Sequence, residues 1–316
     1  MIGERLESRR RVPGWAALFL AAGVGLFIAL IGFRNSGIIL PNPETMVGLG
    51  NLAYPPTALA IFGLILTSAL LAWRVRAAML IGILATTALG LGPGLARWSP
   101  QRFSLREMTS TFGKLDVAAA LRIGFLEVVF VFFFIDLFDN LGTLVAVGKK
   151  AGLFDRAHGI PRIDRILTAD ATATIAGSLA GTSTVVSYIE SAAGVAAGGR
   201  TGIPAIVAGA LFLASMFAAP LVGAIPASAT APALILVGSM MASVVTEIDW
   251  QDPEIAIPAF LTILAIPLSF SIANGLAFGF TAYAAIKLLR GKFREVNWCV
   301  YLLAAIFVVR FIYLAG

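Results

Sequence analysis

One cysteine, Cys299, and one histidine, His158, leave no internal disulfide and no histidine-built metal cluster. Charge is scarce too: Asp, Glu, Lys and Arg make up 13% of the residues, while 59% are hydrophobic. That balance excludes an ordinary soluble domain. Motifs for enzymatic chemistry are also missing. There is no Gly-rich phosphate loop ending in Gly-Lys-Ser/Thr and no His-Glu-x-x-His, and Cys299 has no neighbouring histidine to activate it. The reading is therefore of a protein that is not an enzyme and uses no cofactor and no metal. A secretory signal is lacking as well. The first eleven residues carry Arg5, Arg9, Arg10 and Arg11 with Glu4 and Glu7, and the apolar run behind them is too long for a signal peptide.

What is present is a succession of long apolar runs and a mean hydropathy of +0.92. Val12–Phe33, Thr45–Trp73, Ala77–Ala96, Ala171–Ile189, Thr201–Thr246 and Ile255–Ile286 contain no charge. One bilayer crossing takes about 20 residues, so the chain reads as an all-α, multi-pass protein of the cytoplasmic membrane. The net charge of +6 sits mostly in short loops, which indicates membrane orientation rather than nucleic acid. Spans are expected over 13–33, 57–73, 77–95, 123–148, 166–180, 203–222 and 230–245. Two shorter spans are expected within 255–286, meeting near Asn274 and Gly275. Arg97–Arg122 holds five basic residues where simple alternation of spans predicts an outside loop. Within it, Leu115–Leu121 has the pattern of an interfacial amphipathic helix. Glu247, Asp249, Asp252 and Glu254 form an acidic turn without Lys or Arg, and Lys287, Arg290, Lys292 and Arg294 mark a cytoplasmic end. The tail 296–314 either spans or lies at the interface.

The unusual stretch is Gly181–Gly202. It opens with the β-branched run Thr182–Val186 and closes on Gly198-Gly199-Arg200-Thr201-Gly202, between two apolar spans. Extended backbone at membrane depth leaves amides unpaired, which is tolerated only where protein or a wet cavity surrounds them. Secondary transporters build their substrate sites at such breaks. Glu190 falls in the first turn of the half-helix that follows, where the helix dipole favours a carboxylate.

Ionised groups inside a span cost roughly 2.5 to 3.5 kcal/mol on insertion scales, so each intramembrane acid is a functional candidate. Asp136 and Asp139 are three residues apart, on one helix face, and two acids so close favour holding one proton. Asp139 precedes Gly142, whose missing side chain lets a ligand approach the backbone. Each acid also has a plainer reading. Ser187-Tyr188-Ile189-Glu190 matches a capping box, and Asp170 reads as a structural acid bonded to nearby threonines or to Arg165.

Together, Phe134-Ile135-Asp136-Leu137-Phe138-Asp139-Asn140-Leu141-Gly142-Thr143-Leu144, Thr168-Ala169-Asp170-Ala171 and the 181–202 stretch resemble the nucleobase–cation symporter-2 family, in its AzgA-like branch of adenine, guanine and hypoxanthine permeases. The resemblance runs from about Trp15 to the C-terminus. It implies a fold of two inverted repeats of seven spans, divided into a core and a gate domain. It further implies that the chain lacks the first four spans of a full member, one broken helix included. On this pattern, 1–11 is a cytoplasmic N-terminus, 12–96 the first gate half, 97–122 a polar linker with an amphipathic helix, 123–224 the core with the substrate site, 225–295 the second gate half and 296–316 a C-terminal apolar helix. The resemblance implies purine and proton as partners in the bilayer, with a homodimer left open and no nucleic acid. Asp139, Glu190, Ser183, Thr184 and Gly142 would bind the purine, Asp136 or Asp139 would carry the proton, and Asp170 and Arg200 would be structural. The other reading is an inactive or partner-dependent piece of such a permease.

Overall fold

Prolines and capping side chains set where several helices begin. Pro55 and Pro253 each open a helix, where a missing amide hydrogen costs nothing. Ahead of Pro253, the Asp252 side chain accepts from the Glu254 amide at 2.9 Å. The computed structural model describes residues 14–92, 94–95, 110–122, 133, 136–137, 140, 143–144, 147–148, 151–152, 161–188, 191–196, 198–218 and 223–313. Asp139, Gly142, His158 and Glu190 lie outside the described residues.

The described helices are α1 (Gly14–Asn35), α2 (Pro55–Ala72), α3 (Ala78–Leu91), α4 (Val117–Arg122), α5 (Ile163–Ala180), α6 (Ser191–Ala196), α7 (Ile203–Ser215), α8 (Ala227–Ala242), α9 (Pro253–Ser269), α10 (Ile272–Leu289) and α11 (Trp298–Tyr313). Between α1 and α2, strands β1 (Ile39–Asn42) and β2 (Met46–Leu49) pair as an antiparallel hairpin, with Ile39 opposite Leu49. The loop expected between the first two spans thus contains a small sheet. By length and composition, Leu18–Asn35, Pro55–Ala72, Ala227–Glu247 and Ile272–Leu289 can each cross a membrane. Shorter apolar helices cover Ala78–Leu91, Ile203–Ala218, Pro253–Ser269 and Trp298–Val309.

The chain divides into two units. One comprises 24–103 with 207–243. Here α8 packs on α2 and α3, and small residues set the spacing. A Cβ on Gly25 would stand 2.8 Å from both the Gly238 carbonyl oxygen and the Ala242 amide nitrogen. These are backbone atoms, so the helices could only move apart. Gly25→Ala is expected to cost about 1–3 kcal/mol by overpacking, read as a lower melting temperature of the detergent-solubilised protein. Between α2 and α3, Thr67 Oγ1 donates to the Gly63 carbonyl and Thr86 Oγ1 to the Gly82 carbonyl, each at 2.7 Å. Each threonine lies against the glycine of the other helix. The hydroxyls are satisfied within their own helices, so close packing buries no unpaired polar atom.

The other unit comprises 1–23, 104–206 and 244–316. Phe19, Ala22, Ile248, Ala259 and Ile263 form a buried cluster. Helices α9 and α10 make a hairpin whose turn falls at Phe270–Ser271, four residues before the expected junction at Asn274–Gly275. Phe270 takes a left-handed conformation with φ of 50°, and Ser271 Oγ accepts from the Asn274 amide at 3.3 Å as the cap of α10. Gly275 and Gly279 instead face α9, where a Cβ on Gly275 would come within 3.0 Å of the Thr262 carbonyl. Phe307 and Phe311 of α11 meet Phe280 and Phe278 of α10, with ring centroids 6.5 and 5.4 Å apart. The numbering rises on one helix as it falls on the other, so α11 returns antiparallel along α10. Phe307 and Val300 are buried, and the tail packs along α10.

Because the hairpin closes on itself, the acidic turn and the basic residues converge. The buried Glu254 carboxylate accepts from Lys287 at 2.5 Å, from Lys292 at 2.8 Å and from Arg290. Lys287 also reaches Glu295 at 3.2 Å.

Candidate functional site

Helix α5 stops at Gly181, whose φ of 83° favours a residue without a side chain. Its amide donates to the Ser178 carbonyl at 3.1 Å, and the Thr182 amide donates to that of Gly177 at 3.0 Å. The chain then turns back and runs without helix from Thr182 to Tyr188. The short helix α6 follows, and Gly198, at φ of 105°, breaks the path again before α7. The sequence pattern of β-branched run, half-helix and glycine break is thus reproduced in the described backbone.

Three tethers hold the extended stretch. Thr182 Oγ1 donates to the Gly177 carbonyl at 3.1 Å, and Thr174 Oγ1 donates to the Val185 carbonyl at 3.0 Å, laying the stretch along α5. At its far end the Ser187 amide donates to Asn140 Oδ1 at 2.7 Å. Gly177 permits the close path, since a Cβ there would stand 2.7 Å from Val185. Among the described residues, the amides of Ser183, Thr184, Val185 and Val186 donate to no protein acceptor. Ser183 and Thr184 are exposed.

The described positions 136, 137, 140, 143, 144, 147 and 148 are helical. Asp136 and Asn140, four apart, share one face of that segment. Asn140 is 1% exposed, and its Nδ2 donates to Asp170 Oδ2 at 2.7 Å. Asp170 is therefore anchored by Asn140. The threonines on α5 bond elsewhere: Thr168 Oγ1 donates to the Asp164 carbonyl and Thr172 Oγ1 to that of Thr168. Asp136 Oδ1 is buried with no hydrogen-bond partner among the described residues. Arg200 Nη1 donates to the Ala151 carbonyl at 3.4 Å. Asp116 caps α4 by accepting from the Ala119 amide at 2.8 Å. The Gly113 amide donates to the Leu179 carbonyl at 2.9 Å, tying this segment to the end of α5.

Sequence reasoning did not single out Asn140. Its position directly after Asp139, inside the acid-bearing span, was the available signal. The pairing partners, 30 and 47 residues away, were not.

Extended backbone with unspent amides, interrupting an apolar helical chain beside intramembrane acids, defines an integral membrane transporter. A family model described as a permease family matches residues 9–278, and the chain belongs to that family. A putative permease of Methanocaldococcus jannaschii is 50% identical over 306 residues, covering 96% of this chain and 70% of the relative. The guanine/hypoxanthine permease PbuG of Bacillus subtilis is 41% identical over 317 residues, covering 99% and 72%. The adenine permease AdeP of Escherichia coli is 39% identical over 303 residues, covering 96% and 68%.

Proposed function

We propose that this chain moves purine nucleobases across the cytoplasmic membrane by proton symport. The observation that carries the reading is its likeness, across nearly the whole chain, to adenine and guanine/hypoxanthine permeases at 39% and 41% identity. The site's chemistry supports it. A purine presents ring NH and amino donors as well as ring nitrogen acceptors. Carboxylates of Asp139 and Glu190 would take the donors, while the free amides and hydroxyls of Ser183 and Thr184 would meet the acceptors. Gly142 would leave room for the ring beside the backbone. Asp136 or Asp139 would carry the proton, and Asp170 and Arg200 would hold the surrounding backbone.

The gate domain of this reading comprises 12–96 and 225–295, and the core 123–224. Supporting two related halves, the same packing device occurs in both helix pairs. Thr67 of α2 bonds its own helix at Gly63 and faces Gly82 of α3. Thr262 of α9 bonds its own helix at Pro258 and faces Gly279 of α10. Each first helix also opens on a proline.

The test is uptake of labelled hypoxanthine, guanine and adenine by cells that lack their own purine carriers and express this chain, with membrane insertion confirmed. Saturable uptake abolished by a protonophore is the expected result. Insertion without uptake of any purine overturns the reading for the chain alone. Since the three relatives named above align over 68%, 70% and 72% of their lengths, a second arm coexpresses the remaining stretch of PbuG. Uptake restored only there identifies a partner-dependent chain.

A further inference from the structure

The strongest geometry outside the expected site residues is at Asn140. A backbone amide can only donate, so the oxygen of the Asn140 side chain must face Ser187, and its nitrogen must face Asp170. Both bonds are 2.7 Å long and the side chain is 1% exposed, so this amide cannot swap orientation or trade its partners for water. A single side chain on the acid-bearing helix therefore joins α5, through Asp170, to the end of the extended stretch, through Ser187. At the other end the stretch is fixed by the turn at Gly181 and the Thr174 bond.

From this juxtaposition we infer that Asn140 is a positioning residue. It fixes Ser187 and thereby the line of Thr182–Tyr188, so that the Ser183 and Thr184 groups keep their aim. Asp170 is the anchor that holds the Asn140 amide in the one orientation able to accept from Ser187. The fixing of the backbone stands on geometry alone, and its effect on substrate rests on the purine reading.

The exchange of the two side chains tests the arrangement. In Asn140→Asp with Asp170→Asn, the carboxylate at 140 accepts from Ser187 and the amide at 170 donates to it, so both bonds survive with the charge moved. Hydrogen–deuterium exchange of the detergent-solubilised full chain reads the Ser187 amide directly. In Asn140→Leu, exchange at Ser187 is expected to quicken by at least about tenfold, and in the double exchange to return to within about threefold of the parent. If Asn140→Leu yields no folded protein, Asn140→Asp alone takes its place. It sets an acceptor against an acceptor at Asp170, and the second substitution should restore protection. Unchanged exchange in the single variant, or no recovery in the double one, overturns the inference. For transport, Asn140→Leu is expected to raise the apparent KM for hypoxanthine by about tenfold. Altered Vmax with an unchanged KM marks a role in folding only and overturns the positioning role. If exchange behaves as expected while the parent chain takes up no purine, the clamp stands and the purine reading falls.

Discussion

Changing Glu190 to glutamine is expected to lower uptake of labelled hypoxanthine by roughly 10- to 100-fold, with the inserted amount unchanged. A charge-assisted hydrogen bond is worth about 1.5–3 kcal/mol, which converts to that range. The substitution is chosen because it separates the two readings of Glu190. The Ser187 amide that a capping box would offer to residue 190 is taken by Asn140, and α6 begins only at Ser191, so the plainer role left is a local bond to backbone donors, which the glutamine oxygen still accepts. A purine ring NH facing the site does not tolerate it as well, because glutamine offers one acceptor oxygen where glutamate offers two and carries a charge. Uptake equal to the parent assigns Glu190 to a structural role beside the break. Asp139→Asn is expected to show a loss of the same size. If Asp139 also carries the proton, the Asn variant loses its response to the pH gradient as well. Exchange of labelled for unlabelled purine, which needs no gradient, distinguishes the two effects: it persists where only coupling is lost and disappears where binding is lost.

Local signals in the sequence were read where one residue has one physical meaning. The run Thr182–Val186 cannot continue α5 comfortably, and Gly181 supplies the left-handed turn that ends it, so the break was visible in the letters. Glycine near position 275 was ambiguous, because a small residue marks either a bend or a close helix contact. Gly275 takes the second role against Thr262, and the bend goes to Phe270, where capping by Ser271 supplies the start of α10. An interfacial helix was expected over 115–121. A six-residue helix, Val117–Arg122, is found there, placed by the Asp116 cap. The pairs of Asn140 with Asp170 and Ser187 had no local pattern to announce them. Nor did those of Glu254 with cations more than thirty residues later. Such pairings depend on which helix returns beside which, and hydropathy specifies the existence of spans rather than their neighbours. The tail shows the same limit. Its apolar face suited either a crossing or the interface, and only the stacking of Phe307 on Phe280 places it along α10.

Glu254 carries the second large effect, and its sign follows from an imbalance of charge. One carboxylate, its side chain 3% exposed, faces Lys287, Lys292 and Arg290. It precedes the apolar run 255–286, and the cations surrounding it, Lys287 first, hold its pKa down at about 2. Glu254→Gln leaves these cations facing one another. Arg290 and Lys292 can swing into water, since their side chains are 56% and 36% exposed, but Lys287, at 10%, cannot, and it keeps only the exposed Glu295 at 3.2 Å as a carboxylate partner. Breaking a buried pair from one side is far more costly than replacing both partners. The melting temperature of the solubilised protein is therefore expected to fall by roughly 5 °C or more in Glu254→Gln. Part of that loss should return in Glu254→Gln with Lys287→Met, which removes the buried charge that Glu295 alone would then offset and keeps its apolar stem. A melting temperature equal to the parent in the single variant would show that the cations relax without Glu254. The pH dependence provides a second check. A carboxyl whose folded pKa lies below its unfolded value stabilises the fold above the unfolded value, about 4.3 for glutamate, and loses that contribution as pH falls through the folded one. The gap in melting temperature between parent and Glu254→Gln should therefore hold steady from pH 8 to about pH 5 and close between about pH 4.3 and pH 2. A gap that closes near neutral pH instead would assign the effect to another titrating group.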